Sequence, residues 1–199
     1  MQFSMGFEVQ LAHPTPEREH QLLHDCVDQA IYAEQMGFDR IWAPEHHSLK
    51  WYAHMSAPEI FLTAVAAKTS RIRVGHAAVC MPFGYNHPAR VAERAAMLDI
   101  ISDGRLNLGA ARGGTTMEMS LCGVNPEDTK PQVEEALRFI GHCWREDTIE
   151  WESELLSIHP PPDRPSHTVV PPRAAPRLRR PSEMMSSIAA RSATRAGWL

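Results

Sequence analysis

Val74-Gly-His-Ala-Ala-Val-Cys-Met-Pro-Phe-Gly-Tyr-Asn-His-Pro-Ala-Arg90 is the stretch that decides the fold. Ile72, Val74, Ala77, Ala78, Val79 and Met81 form an almost unbroken apolar run, which suits a strand covered on both faces, the usual state in a parallel sheet. The run cannot continue through Met81-Pro-Phe-Gly-Tyr85, because Pro82 lacks an amide donor and Gly84 invites a sharp backbone. Asn86 then reads as an N-cap, with Pro88 in the first helical turn and Val91, Ala95 and Leu98 at helical spacing. A loop at the carboxyl end of a buried strand is where α/β folds bind ligands.

The same alternation extends in both directions. Upstream, Phe3-Ser-Met-Gly-Phe-Glu-Val9 predicts a short strand, and Thr15-Pro-Glu17 a helix start with an N-cap, an N1 proline and acid facing the positive dipole end. Gly37 closes that helix, Phe38-Asp-Arg-Ile-Trp-Ala43 predicts the second strand, and Pro44-Glu-His-His47 follows it. Ser56-Ala-Pro-Glu59 has the pattern of a capping box opening a helix to about Lys68. Downstream, a helix to Ile101 is followed by the turn Ser102-Asp-Gly104, a strand over Arg105-Leu-Asn-Leu-Gly-Ala-Ala111 and the loop Arg112-Gly-Gly114. Pro131 begins a further helix, and residues 149–158 alternate as a small hairpin. Four βα units in succession predict a parallel sheet, either open or closing as a barrel.

The chain has 199 residues, 43% hydrophobic and 22% charged, ordinary values for a soluble globular domain. No apolar stretch is long enough to span a bilayer, and the amino end has no basic-then-apolar signal segment. Cys26, Cys80, Cys122 and Cys143 include no C-x-x-C pair, so reduced thiols in a cytoplasmic protein, without zinc, are expected. From Pro160 onward seven arginines face two acids, a surplus of five positive charges; the whole chain is −4, so residues 1–159 carry −9. An acidic body argues against a nucleic-acid surface. The expected division is a folded unit over 1–159 and a proline- and arginine-rich tail over 160–199, which buries too little apolar surface to order itself.

Few residues carry obvious chemistry. Glu45-His46-His47 lies at a strand end, where an imidazole serves as general base or orients a polar intermediate, or simply bonds a neighbouring loop residue. Side chains of adjacent residues leave an extended backbone in different directions, so His46 and His47 are not expected to share a metal. Arg112-Gly113-Gly114 offers free amides and a guanidinium to an anion, or is a solvated turn. Asn86 fits a ligand contact as well as a cap, while Met117, Met119, His142 and Cys143 read as packing residues. The G-x-S-x-G, P-loop and G-x-G-x-x-G signatures are absent.

Together, Trp42-Ala-Pro-Glu-His-His47, Val74-Gly-His-Ala-Ala-Val-Cys-Met-Pro82, His87-Pro-Ala-Arg90, Leu98-Asp-Ile-Ile-Ser-Asp-Gly-Arg105 and Leu108-Gly-Ala-Ala-Arg-Gly113 resemble the bacterial luciferase-like family of flavin-dependent monooxygenases, from about Phe3 to about Pro171. The resemblance implies the N-terminal half of a TIM (β/α)8 barrel: four βα units and a small hairpin. It implies reduced FMN, with a deazaflavin as the alternative cofactor, and O2 and a small organic molecule as co-substrates. It further implies a flavin reductase as partner, and no nucleic acid or membrane. His46 would be the catalytic histidine, flanked by Glu45 and His47; Ala77 and Ala78 would form a cis peptide under the flavin ring, and Arg112 with Gly113 would reach its phosphate. A barrel of eight such units takes about 250 residues. The chain is therefore expected to be truncated relative to the family, with reduced or no turnover, and to self-associate or aggregate through its open sheet edges. An inactive fragment or dimerising binding module is the alternative function. Ala111 stands where the luciferases carry a reactive cysteine, so light emission is not implied.

Overall fold

The computed structural model of the protein describes residues 1–160; the tail expected to be disordered lies outside the described residues, apart from Pro160. Four parallel strands form the central sheet: β1 (Ser4–Gly6), β2 (Arg40–Ala43), β3 (Arg73–His76) and β5 (Leu106–Asn107), in that spatial order. Their register aligns Met5, Ile41, Val74 and Leu106 across the sheet. Above it β4 (Val79–Cys80) pairs in parallel with β6 (Ala110–Ala111). Between these strands run α1 (Pro16–Gln35), α2 (Pro58–Lys68) and α3 (Pro88–Ile101), with α4 (Thr116–Leu121) and α5 (Thr129–Cys143) after β6, and then the antiparallel hairpin β7 (Trp151–Glu152) with β8 (Ser157–Ile158). This is the expected half barrel.

Period-two alternation sorts the two faces of the sheet. Ile41, Val74 and Leu106 point to one side and are fully buried beneath Ala30, Leu62, Val65, Val91, Leu98, Phe139 and Ile140 of the helices. Each such aliphatic or phenyl side chain contributes about 2–3 kcal/mol relative to exposure. The other face carries Gly6, Trp42, Gly75 and Asn107 in one row. Gly75 is required there, since a Cβ would stand 2.4 Å from Trp42 Cζ3.

Helix starts follow the sequence in one case and depart from it in three. Thr15 caps α1, its Oγ1 accepting from Arg18 N at 3.3 Å with Pro16 at N1, and Gly37 follows the helix end at φ +82°. The capping box expected from Ser56 does not form: α2 starts from Ala57 without a side-chain cap, because Glu59 is turned toward Arg94, 3.0 Å away. Asn86 is not the cap of α3. His87 takes that place, its Nδ1 accepting from Ala89 N, while the Asn86 amide is engaged elsewhere. Finally, α5 begins at Thr129 rather than at Pro131, which sits in its first turn.

The strands are shorter than their apolar runs. Val9 turns to φ +51° and ends the first early. The run from Ile72 to Met81 divides into β3 and β4 at the Ala77–Ala78 peptide, which is cis, as the family resemblance implied. The strand expected over residues 105–111 divides likewise into β5 and β6. Helix α4 was not anticipated from the sequence, and of its two methionines only Met119 is a packing residue; Met117 is 64% exposed.

Candidate active site

Because the strands are parallel, the segments 44–47, 81–86 and 112–118 all emerge at the carboxyl end of the sheet, where (β/α) barrels gather their chemistry. The first two are tied together by Glu45. Its buried carboxylate accepts from Cys80 N at 2.9 Å and Asn86 Nδ2 at 2.8 Å, and its Oε1 lies 2.9 Å from His47 Nε2. Three partners for one carboxylate offset the cost of withdrawing it from water.

The third segment supplies the partner of His46. Glu118, 1% exposed at the start of α4, accepts from His47 N at 2.8 Å and sits 3.1 Å from His46 Nδ1. Thr115 caps the helix by accepting from Glu118 N and donates its hydroxyl to Glu118 Oε2 at 2.7 Å. Burial alone would raise the Glu118 pKa, but the bonds from His47 N, Thr115 and His46 outweigh it and hold the carboxyl below its ordinary range. With Nδ1 directed at Glu118, His46 Nε2 turns outward, 3.6 Å from the half-exposed Glu8, and its ring meets Tyr52 edge-on at 5.6 Å. The two histidines thus address different carboxylates. A cavity of about 480 Å³ opens beside His46, bounded by Thr15, Glu19, Ser48, Leu49 and His54.

His47 is the more basic of its surroundings' making: the bond to Glu45 raises its pKa above the ordinary histidine range, against the opposing effect of burial, with Glu118 and Glu59 adding to the rise. Its ring stacks on Tyr85 at 5.8 Å, and Tyr85 in turn covers Gly113, where a Cβ would meet the phenol ring at 3.0 Å. The Tyr85 hydroxyl is buried without a partner among the described residues, and burial pushes its pKa upward, so it stays a neutral donor. Gly113 stands at φ +96°, a conformation that L side chains rarely adopt. Arg112 beside it is exposed. A Cβ on Gly114 would lie 3.7 Å from His46 Cε1, so this loop also borders the His46 imidazole. A phenol donor, a histidine biased toward its cation, a free guanidinium and glycine amides together suit an anion such as a phosphate.

A flat ring has a matching ledge. In the buried run 74–82 only Ala77 and Ala78, with side chains no larger than a methyl group, are partly exposed. Ala77 N donates to Ala43 O at 2.8 Å, which joins the ledge to the strand leading into Glu45-His46-His47. Glu45, His46, His47 and Gly113 therefore fall in one neighbourhood, whereas His142 packs on Trp151 and Cys143 lies in the core. Glu118, Tyr85 and Asn86 were missed or given other duties, and the capping pattern Thr115-x-x-Glu118 was the signal that would have located the first. Among the described residues no three histidine, cysteine or carboxylate side chains converge to hold a metal ion.

Residues 1–193 match the family model described as luciferase-like monooxygenase, so the likeness reaches past Pro171. The chain is 36% identical over 137 residues to 4-hydroxyprotoasukamycin monooxygenase of Streptomyces nodosus subsp. asukaensis, covering 69% of this chain and 36% of that protein. It is 32% identical over 148 residues to F420-dependent glucose-6-phosphate dehydrogenase of Kineococcus radiotolerans, covering 71% and 44%. The fold is shared with the FMN-bound oxygenating constituent of 3,6-diketocamphane monooxygenase from Pseudomonas putida, at TM-score 0.76 and 22% identity over 90% of this chain and 51% of that one. The matches thus account for about a third to a half of each relative's length.

Proposed function

The chain belongs to the luciferase-like monooxygenase family, and on that basis we propose that it carries the histidine-bearing part of a flavin-dependent oxygenase site. Its cofactor is reduced FMN, delivered by a flavin reductase, and its substrate a small organic molecule. The observation that supports this most directly is the presence, at the carboxyl end of one sheet, of the Ala77–Ala78 ledge, the paired His46 and Glu118, and the donors Tyr85, Arg112 and Gly113. These residues fit a cofactor with a flat ring at one end and a phosphate at the other.

Arg112, the Gly113 amide and the Tyr85 hydroxyl hold the phosphate, and His47 adds positive charge behind them. The alanine methyls support the ring without competing for its hydrogen bonds. Once bound, reduced FMN supplies two electrons with which O2 is divided between one oxygen atom placed on the substrate and one molecule of water. His46 keeps its Nδ1 on Glu118 and presents Nε2 to the reacting face, where it holds or moves a proton. The cavity beside His46 admits the organic substrate.

Titration of the protein with FMN, followed by flavin fluorescence, is expected to give saturable quenching. Arg112→Ala is expected to weaken binding about tenfold, the loss of one charge-assisted contact to phosphate. Absence of saturable quenching would overturn the proposal. Tighter binding of the deazaflavin F420, which names one relative, would replace FMN as the cofactor.

A further inference from the structure

One chain of polar groups runs from the surface of the helical layer to His47. Glu59 Oε1 on α2 lies 3.0 Å from Arg94 Nη1 on α3. Arg94 Nη2 donates to Asn86 Oδ1 at 2.5 Å, and Asn86 Nδ2 donates to Glu45 Oε1 at 2.8 Å and to the Cys80 carbonyl at 2.9 Å. That same Oε1 lies 2.9 Å from His47 Nε2. Asn86 and His47 therefore share one oxygen. The Asn86 side chain is buried, and the void between Glu45, Glu59, His76 and Arg94 is only about 10 Å³, too small for more than a single water. With its oxygen accepting from Arg94, the Asn86 amide cannot turn over without aiming that oxygen at the Glu45 carboxylate.

We propose that Arg94 and Glu59 are positioning residues for His47: through Asn86 and Glu45 they set the fraction of His47 that carries a proton, and with it the charge at the anion-binding end of the site. This deepens the flavin assignment above, yet the effect on His47 is measured with no flavin present. The charges around His47 are Glu45 on its own loop, Glu118 from α4, Glu59 from α2 and Arg94 from α3 acting through Asn86. His46, next in the chain, shares Glu118 with it, and four further titratable groups nearby are neutral where it titrates. Burial holds His76 on β3 at about 4 and pushes the Cys80 and Cys122 thiols and the stacked Tyr85 upward. Removing the Arg94 cation leaves more of the Glu45 charge for His47, whereas removing Glu59 withdraws a carboxylate that favours the imidazolium. The two substitutions must act with opposite sign.

Histidine-selective NMR over a pH series, with His47 assigned through His47→Gln, reads this directly. Arg94→Met is expected to raise the His47 midpoint by about half a pH unit and Glu59→Gln to lower it by about as much, with the double variant near wild type. Should Arg94→Met fail to fold, Arg94→Gln keeps a donor toward Asn86 without the cation and carries the same upward sign. A purely structural ion pair would loosen the loop in either variant and move both midpoints in one direction. That result, or no movement in either variant, overturns the proposal. FMN affinity measured against pH in the same variants should follow the His47 midpoint; shifted midpoints without any flavin binding would remove the flavin assignment and leave the positioning pair standing.

Discussion

Glu118→Gln is expected to cut formation of oxygenated product per reduced flavin by on the order of a hundredfold, with flavin binding little changed. The amide is isosteric and still accepts from His47 N, so the loop keeps its shape. What disappears is the negative charge 3.1 Å from His46 Nδ1, which fixes the ring's tautomer and orientation. Stability should respond to pH in the same variant. Glu118 has a folded-state pKa below its ordinary value. Its stabilising contribution is therefore complete above the unfolded carboxylate pKa and is lost as pH falls through the lower folded one. As pH falls from about 5 to well below the ordinary glutamate value of about 4.3, the wild type should lose more denaturation midpoint than Glu118→Gln does. Wild-type product yield from the variant would remove Glu118 from the mechanism.

Arg105→Ala is expected to carry the largest cost in stability, about 3 kcal/mol, or roughly 10 °C in the thermal midpoint. Its guanidinium makes five hydrogen bonds: Nε to Ser102 O, Nη1 to Thr69 Oγ1 and Ile72 O, and Nη2 to Ala66 O and Thr69 O. It closes the last turn of α2, the entry to β3 and the turn before β5 onto one another. Truncation leaves those carbonyls without a donor in a partly buried place. Arg105→Lys should recover less than half of the loss, because one ammonium cannot span the positions that a planar fork reaches together. A midpoint for the alanine variant within about 2 °C of wild type would mean that water replaces the fork at no cost.

The order of strands and helices was legible because each element carries its own period and its own punctuation, as Thr15-Pro16 and Gly37 do around α1. The candidate site's place at the carboxyl end of the sheet was legible too, since Glu45-His46-His47 and Arg112-Gly113 each follow a predicted strand and Ala77-Ala78 lies within one. Three things were hidden. Capping at Ser56 and Asn86 failed because Glu59 and Asn86 are claimed by Arg94 and Glu45, partners 35 and 41 residues away for the Arg94–Glu59 and Asn86–Glu45 pairs. Local patterns are blind to such competition. Strand lengths were overestimated because an apolar run records side-chain type alone, and apolar residues continue through 77–78 where pairing changes partners. Glu118 stands between two methionines that read as packing residues, and only the Thr115-x-x-Glu118 cap pattern marks it in the sequence.

The carboxylate of Glu118 completes the first turn of a six-residue helix and also anchors the His47 backbone amide and the His46 imidazole, from a loop 71 and 72 residues earlier in the chain. Unwinding that turn and releasing that loop are consequently one event, not two. During synthesis the site has no mature form until the ribosome has passed residue 118, and any ligand that steadies the histidines also suppresses amide exchange at the start of this short helix.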